Sequence, residues 1–199
     1  MTADGSFAAS LTAAYCVLEE SLMAGKTGEL AGDATRREEE EAGRGEERQP
    51  AATTAITVRH NFESAHRLPQ LGGKCQNLHG HSWWVEATVA GEAGADGIVV
   101  EFHDLKSYLR EWIDRNLDHG ALLGSEDELV LALKAVDSKV FVFGEADPSA
   151  GLSWPTVENV AQLLTRVTAG YIRSRGLRGV RVSRVVVRET HVNAAEVSG

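Results

Sequence analysis

Ile56-Thr57-Val58-Arg59-His60-Asn61-Phe62-Glu63-Ser64-Ala65-His66, followed after a short loop by Cys75-Gln76-Asn77-Leu78-His79-Gly80-His81, decides the fold and carries its chemistry. The first segment alternates apolar and polar residues, the period of a half-buried β-strand, and places His66 at the end of the face bearing Ile56, Val58 and Phe62. In the second, an extended backbone sends His79 and His81 to the same side, with only Gly80 between them. One metal ion can meet both, and pairing of the two strands brings His66 to it. Three neutral imidazoles without an evident fourth protein ligand suit zinc with a position open to water or substrate, as in catalytic sites. Cys75 leaves a second reading open: a closed structural site of one thiolate and three imidazoles. Structural zinc more often uses C-x-x-C or H-x-x-x-H pairs. A third reading, scattered surface histidines, fits poorly, because two of these three stand in i, i+2 register on one strand.

The 199 residues are 43% hydrophobic and 25% charged, enough for one well-buried domain. No apolar run approaches the roughly 20 residues of a membrane span. The N-terminus has no basic region of the secretory type, so a cytoplasmic protein is expected. Cys16 and Cys75 stand far apart in unlike contexts, which gives no disulfide framework. A net charge of −9 argues against a nucleic-acid binder, while an anionic small substrate needs only a local group of cations. Residues 1–54 hold five Lys/Arg and eleven Asp/Glu, a net of −6, which leaves −3 for the remainder.

From Gly25 to about Thr54 the chain is rich in Gly, Ala, Glu and Arg and poor in large apolar side chains, the composition of a disordered linker. Before it, Phe7, Leu11, Tyr15, Leu18 and Leu22 fall near helical spacing and predict a marginal helix. Gly25-Lys26-Thr27 is not a phosphate loop, since Glu20 occupies the position of that motif's first glycine. The domain division is therefore an acidic extension over 1–54 and a folded domain over 55–199. In that domain strands are expected at Ile56–Ala65, Gly80–Ala90, Ile98–Phe102, Lys139–Phe143 and Val180–Thr190. A helix capped by Asp104 carries Leu105, Leu109, Trp112 and Ile113 and ends near Asp118-His119-Gly120. A short helix is expected over Glu128–Val136, and another, capped by Thr156, carries Val160, Leu163, Leu164, Val167 and Tyr171. This order describes an α+β domain with an antiparallel sheet.

Phe62-Glu63-Ser64-Ala65-His66-Arg67-Leu68, then Cys75, His79-Gly80-His81, Leu117-Asp118-His119, Pro155-Thr156-Val157-Glu158-Asn159 and Glu189-Thr190 form an ordered set of motifs. In that order the chain resembles the family of 6-pyruvoyl- and 6-carboxy-tetrahydropterin synthases from about Ile56 to Val197. The resemblance implies a tunnelling fold, an antiparallel sheet with helices on one face whose subunits join through their sheets into a barrel, as a homo-oligomeric trimer or hexamer with active sites between subunits. It implies 7,8-dihydroneopterin triphosphate as substrate and Zn2+ on His66, His79 and His81. Cys75 matches the family's base, Asp118 and His119 its partner and proton relay, and Glu189 its pterin anchor.

Read without the family, Asp118-His119 is a polar helix C-terminus and Glu189 a strand-end carboxylate. Glu158 fits the helix dipole at least as well as a substrate contact. Arg67 and Lys74 flank the metal motif, where they either meet the triphosphate or stay solvated. Trp154 departs from the Asn that usually precedes Pro-Thr in the family, and Val197 from its usual terminal Tyr. The stretch from His119 to Trp154 is longer than in compact members. The three residues between Cys75 and His79 resemble the 6-carboxy branch, which also expels acetaldehyde and feeds 7-deazaguanine or queuosine-type synthesis. Members of the 6-pyruvoyl branch often have five residues there. A non-catalytic zinc-binding assembly protein is the alternative of another class.

Overall fold

Apolar alternation on two long neighbouring segments builds the centre of the sheet. The computed structural model describes residues 52–199, so the expected marginal helix, the linker and the acidic extension lie almost wholly outside the described residues. Strand β1 (Thr53–His66) and strand β2 (His79–Glu92) pair antiparallel along their whole length, from Thr53 opposite Glu92 to His66 opposite His79. Two 3-10 turns, Pro69–Leu71 and Gly73–Gln76, close the loop between them. Helix α1 (Phe102–Asn116), β3 (Gly120–Gly124), α2 (Leu129–Lys134), β4 (Val140–Phe143), α3 (Val157–Ser174), β5 (Arg181–Arg188) and β6 (Ala194–Ser198) follow. The six strands form one sheet in the order β4-β3-β1-β2-β5-β6.

The expected wholly antiparallel sheet is corrected to a mixed one, because β3 runs parallel to both β1 and β4. Strand β3 was not expected: Gly-Ala-Leu-Leu-Gly has no β-branched residue, and it becomes a strand by fitting between the end of β1 and β4. The strand expected over Ile98–Phe102 is absent. Its apolar residues instead lead into α1, with Val100 buried and Glu101 capping the helix by accepting a hydrogen bond from the Asp104 N–H at 2.9 Å. The cap is thus Glu101, and Asp104 lies in the first turn. Thr156 caps α3 as expected, accepting from the Asn159 N–H.

Helices α1 and α3 pack on one face of the sheet. Val58, Phe62, Trp83, Val85, Ala87, Val185 and Val187 from the strands meet Leu105, Leu109, Ile113, Val160, Leu164 and Val167 from the helices in one core. The opposite face is largely polar, with Arg184 bridging Glu86 and Glu196 and an ion pair between Arg59 and Glu86. Among the described residues no helix is long and apolar enough to cross a membrane.

Candidate metal centre

Register places the imidazoles. His66 stands directly across from His79 and Ser64 across from His81, so the inward faces of β1 and β2 carry all three rings at one end of the hairpin. Ring centroids lie 4.7 Å apart for His66 and His79, 5.2 Å for His66 and His81, and 4.9 Å for His79 and His81. Trp83, fully buried, forms the floor, with its ring 5.0 Å edge-on to His66 and its Nε1–H donating to the Ser64 carbonyl at 3.0 Å.

Backbone carbonyls decide which nitrogen of two rings faces the centre. The His66 Nδ1 lies 2.9 Å from the Pro155 carbonyl and the His79 Nδ1 lies 2.8 Å from the Asn77 carbonyl. A carbonyl can only accept, so each Nδ1 carries the proton and each Nε2 is left with its lone pair. This outer support is typical of metal-binding histidines. Burial pushes the His66 imidazole below its usual value, against the upward pull of the Pro155 carbonyl and Glu189, and also lowers His81. Both shifts favour the neutral ring, the form that binds a metal.

The strand expected at Val180–Thr190 brings a fourth group. Glu189 follows β5, and its Oε1 sits 3.0 Å from His66 Nε2 and 3.2 Å from His81 Nε2. Yet neither nitrogen has a hydrogen-bond partner, because the carboxylate lies off the direction in which a ring N–H would donate. A carboxylate oxygen beside the buried His66 lone pair is repulsive unless a cation lies between them, and the unpartnered His81 Nε2 faces the same oxygen. One ligand atom from each of His66, His79, His81 and Glu189 fits within 4.8 Å of the others. The three imidazole nitrogens can hold a metal ion with a position left open, and the Glu189 carboxylate borders that position.

The remaining expected residues are placed apart from this centre. Cys75 is exposed in the 3-10 turn Gly73–Gln76, where its carbonyl accepts from the Leu68 N–H at 2.7 Å, and it is not part of the four-group cluster. Asp118 and His119 form a pair, Nδ1 to Oδ2 at 2.7 Å. The other Asp118 oxygen accepts the Glu63 N–H, and the His119 N–H donates to the Glu63 carbonyl, which docks the pair on β1. Burial alone would raise the Asp118 carboxyl, but the Glu63 N–H and His119 hold it below its usual range. His119 adopts φ 54°, a left-handed conformation costly for a non-glycine residue, and its side chain is 77% exposed. Among the described residues no hydrogen bond joins Cys75 to either residue of the pair.

Arg67 is committed elsewhere: it grips Asp127 through Nε at 2.8 Å and Nη2 at 2.6 Å. Lys74 and Glu158 are exposed. The Pro155 and Asn77 carbonyls were not foreseen, since main-chain atoms leave no mark in residue type. A cavity of about 430 Å3 opens beside the imidazoles, lined by His81, Trp84, Arg188, Glu189, Thr190 and His191 among others. A larger one, about 670 Å3, lies by Arg59, Glu86 and Lys106 and holds none of these groups.

A sequence model of the family described as 6-pyruvoyl tetrahydropterin synthase matches residues 55–199. The chain belongs to the 6-pyruvoyl tetrahydropterin synthase family. Among relatives in that family, the 6-carboxy-5,6,7,8-tetrahydropterin synthase of Aquifex aeolicus is 31% identical over 125 residues, 62% of this chain and 75% of the relative. The protein of the same name from Rickettsia typhi is 37% identical over 73 residues, 36% of this chain, so the chain spans about half (53%) of that relative's length. Among solved structures, an uncharacterized protein of Wolinella succinogenes superposes with a TM-score of 0.57 at 24% identity, covering 75% of this chain and 99% of that one. The 6-pyruvoyl tetrahydropterin synthase of Caenorhabditis elegans does so with a TM-score of 0.52 at 20% identity, covering 75% and 97%. At these identities the likeness in structure establishes the family fold.

Proposed function

We propose that the protein is a zinc-dependent lyase that converts 7,8-dihydroneopterin triphosphate to 6-carboxy-5,6,7,8-tetrahydropterin, releasing triphosphate and acetaldehyde, in 7-deazaguanine or queuosine-type synthesis. The observation that carries this reading is the convergence of unpartnered imidazole nitrogens on Glu189 beside an open cavity. The name shared by the Aquifex and Rickettsia relatives supports the 6-carboxy product.

His66, His79 and His81 hold the metal, and Glu189 anchors the pterin. Its carboxylate accepts two parallel hydrogen bonds from the 2-amino group and the adjacent ring N–H, as it would from a guanidinium. Bound zinc supplies Lewis-acid polarisation of the substrate's side-chain oxygens. Cys75, as thiolate, takes the carbon-bound proton. The Asp118 carboxylate keeps the proton of His119 on Nδ1, leaving Nε2 free to carry a proton to or from the thiol. In this reading the triad is completed across the interface of a cytoplasmic homo-oligomer, a trimer or hexamer assembled through its sheets, which the outward-facing His119 and exposed Cys75 support.

Product analysis tests the assignment. Purified protein loaded with zinc and given 7,8-dihydroneopterin triphosphate is expected to yield 6-carboxy-tetrahydropterin with acetaldehyde. A 6-pyruvoyl pterin without acetaldehyde would move the protein to the other branch of the family. An absence of turnover would leave the non-catalytic zinc-binding reading.

A further inference from the structure

We infer that Gly124 and Trp154 form a brace that holds the first metal ligand, making both positioning residues for the zinc site proposed above. Gly124 ends β3, buried and paired with Phe143 of β4. A Cβ added to it would lie 2.6 Å from the Ser153 carbonyl oxygen and 2.6 Å from Cε3 of the Trp154 ring. Real Cβ atoms do not approach that closely, so the Ser153-Trp154 segment is seated on bare backbone and only glycine leaves room for it.

The same segment is tied down from its other side. The Trp154 carbonyl accepts from Asn159 Nδ2 at 2.8 Å and from the Thr156 N–H at 2.9 Å, which locks it to the first turn of α3. The next residue is Pro155, whose fixed φ leaves the peptide little freedom to turn. Its carbonyl is the group that meets His66 Nδ1 at 2.9 Å. Strand end, indole ring and helix cap therefore aim one carbonyl oxygen, and that oxygen sets the tautomer of His66 and the direction of its orphaned Nε2. The bulky residue before Pro-Thr, where the family usually has Asn, has a place in this arrangement: it fills the space over Gly124.

The test reads the metal directly. Zn2+ affinity, measured by chelator competition, is expected to fall about 10- to 100-fold in Gly124→Ala, the range for outer-shell partners of metal histidines. Asn159→Ala, which removes one anchor and adds no bulk, is expected to lower it about 10-fold and serves should Gly124→Ala not fold. Val167→Ala, a buried α3 residue away from the brace, is the control: it is expected to lower thermal stability and leave zinc affinity unchanged. In metal-free protein, 15N spectra of the histidine rings are expected to show His66 protonated on Nδ1, and a mixture of tautomers in Asn159→Ala. Wild-type zinc affinity and an unchanged tautomer in a folded brace variant would overturn the inference, as would an equal loss of affinity in Val167→Ala. Failure of the wild type to bind zinc would refute the metal reading instead, and the tautomer measurement would still decide the brace.

Discussion

Replacing Asp127 by Ala is expected to cost several kcal/mol, because it leaves Arg67, the residue after His66, without its buried partner. The Asp127 side chain is fully buried and that of Arg67 is 15% exposed, and the two are joined by a two-pronged contact. Removing one member of a buried ion pair costs about 3–5 kcal/mol, since the other charge is left without its partner. Glu128, exposed and 3.5 Å from Arg67 Nη2, offsets part of this and points to the lower end. Asp127 also accepts the Leu129 N–H at 2.9 Å at the start of α2, and losing that hydrogen bond adds about 1 kcal/mol. The expected loss is about 4 kcal/mol, or a fall in Tm of about 8–16 °C at the usual sensitivity of a domain of this size. The assay is urea and thermal unfolding at one protein concentration in the presence of chelator, so that neither assembly nor metal binding shifts the equilibrium. The double variant Arg67→Met, Asp127→Leu is expected to recover most of the loss. Acid dependence gives a second reading of the same pair. Burial alone would raise the Asp127 carboxyl, but the hydrogen bonds from Arg67 and the Leu129 N–H outweigh it and hold it below its usual range. A lowered folded-state value stabilises the protein above the unfolded carboxyl value near 4, and this is lost as pH falls through the folded value. The gap between wild type and Asp127→Ala should therefore narrow below about pH 4. A loss under about 1 kcal/mol, the size of an exposed pair, would refute the argument.

Cys75→Ala is expected to abolish turnover and retain zinc at wild-type stoichiometry by elemental analysis; loss of the zinc would instead make the thiol a ligand. Glu189→Gln is expected to leave zinc affinity within a few-fold and raise KM for the pterin by more than 10-fold, because one acceptor oxygen becomes a donor. A large fall in zinc affinity in that variant would assign the carboxylate to the metal.

The imidazole cluster was legible because β pairing has a period of two. Once β1 and β2 are read as a hairpin, inward-facing residues at their ends must meet, and the distances between the rings follow. The helices were legible from apolar spacing, but the cap of α1 was misplaced because Glu101 uses its long side chain where Asp was expected. Strand β3 was hidden, since its residues have no strand preference and gain their conformation from neighbours on both sides. The closeness of Glu189 to the imidazole nitrogens was hidden for a related reason. Residue type marked it as a carboxylate at a strand end, whereas its distance to His66 depends on how β5 registers against β2, with a shift between Thr88 and Val89. Cys75 and the Asp118-His119 pair are singled out only by the family motifs, and no hydrogen bond joins them among the described residues.

The three imidazoles all belong to one local hairpin, while Glu189 reaches them only after α1, β3, α2, β4 and α3 have been laid down. Contacts between near neighbours in the chain close sooner than those that span it. On the proposed assignment, a newly made chain can therefore chelate its ion before β5 docks, and the ion clasps the loop end of the hairpin while the rest of the sheet assembles. With Glu189 as the proposed pterin anchor, recognition of the organic ligand comes last, so a protein arrested late in folding is expected to titrate as a metal binder and fail as a catalyst.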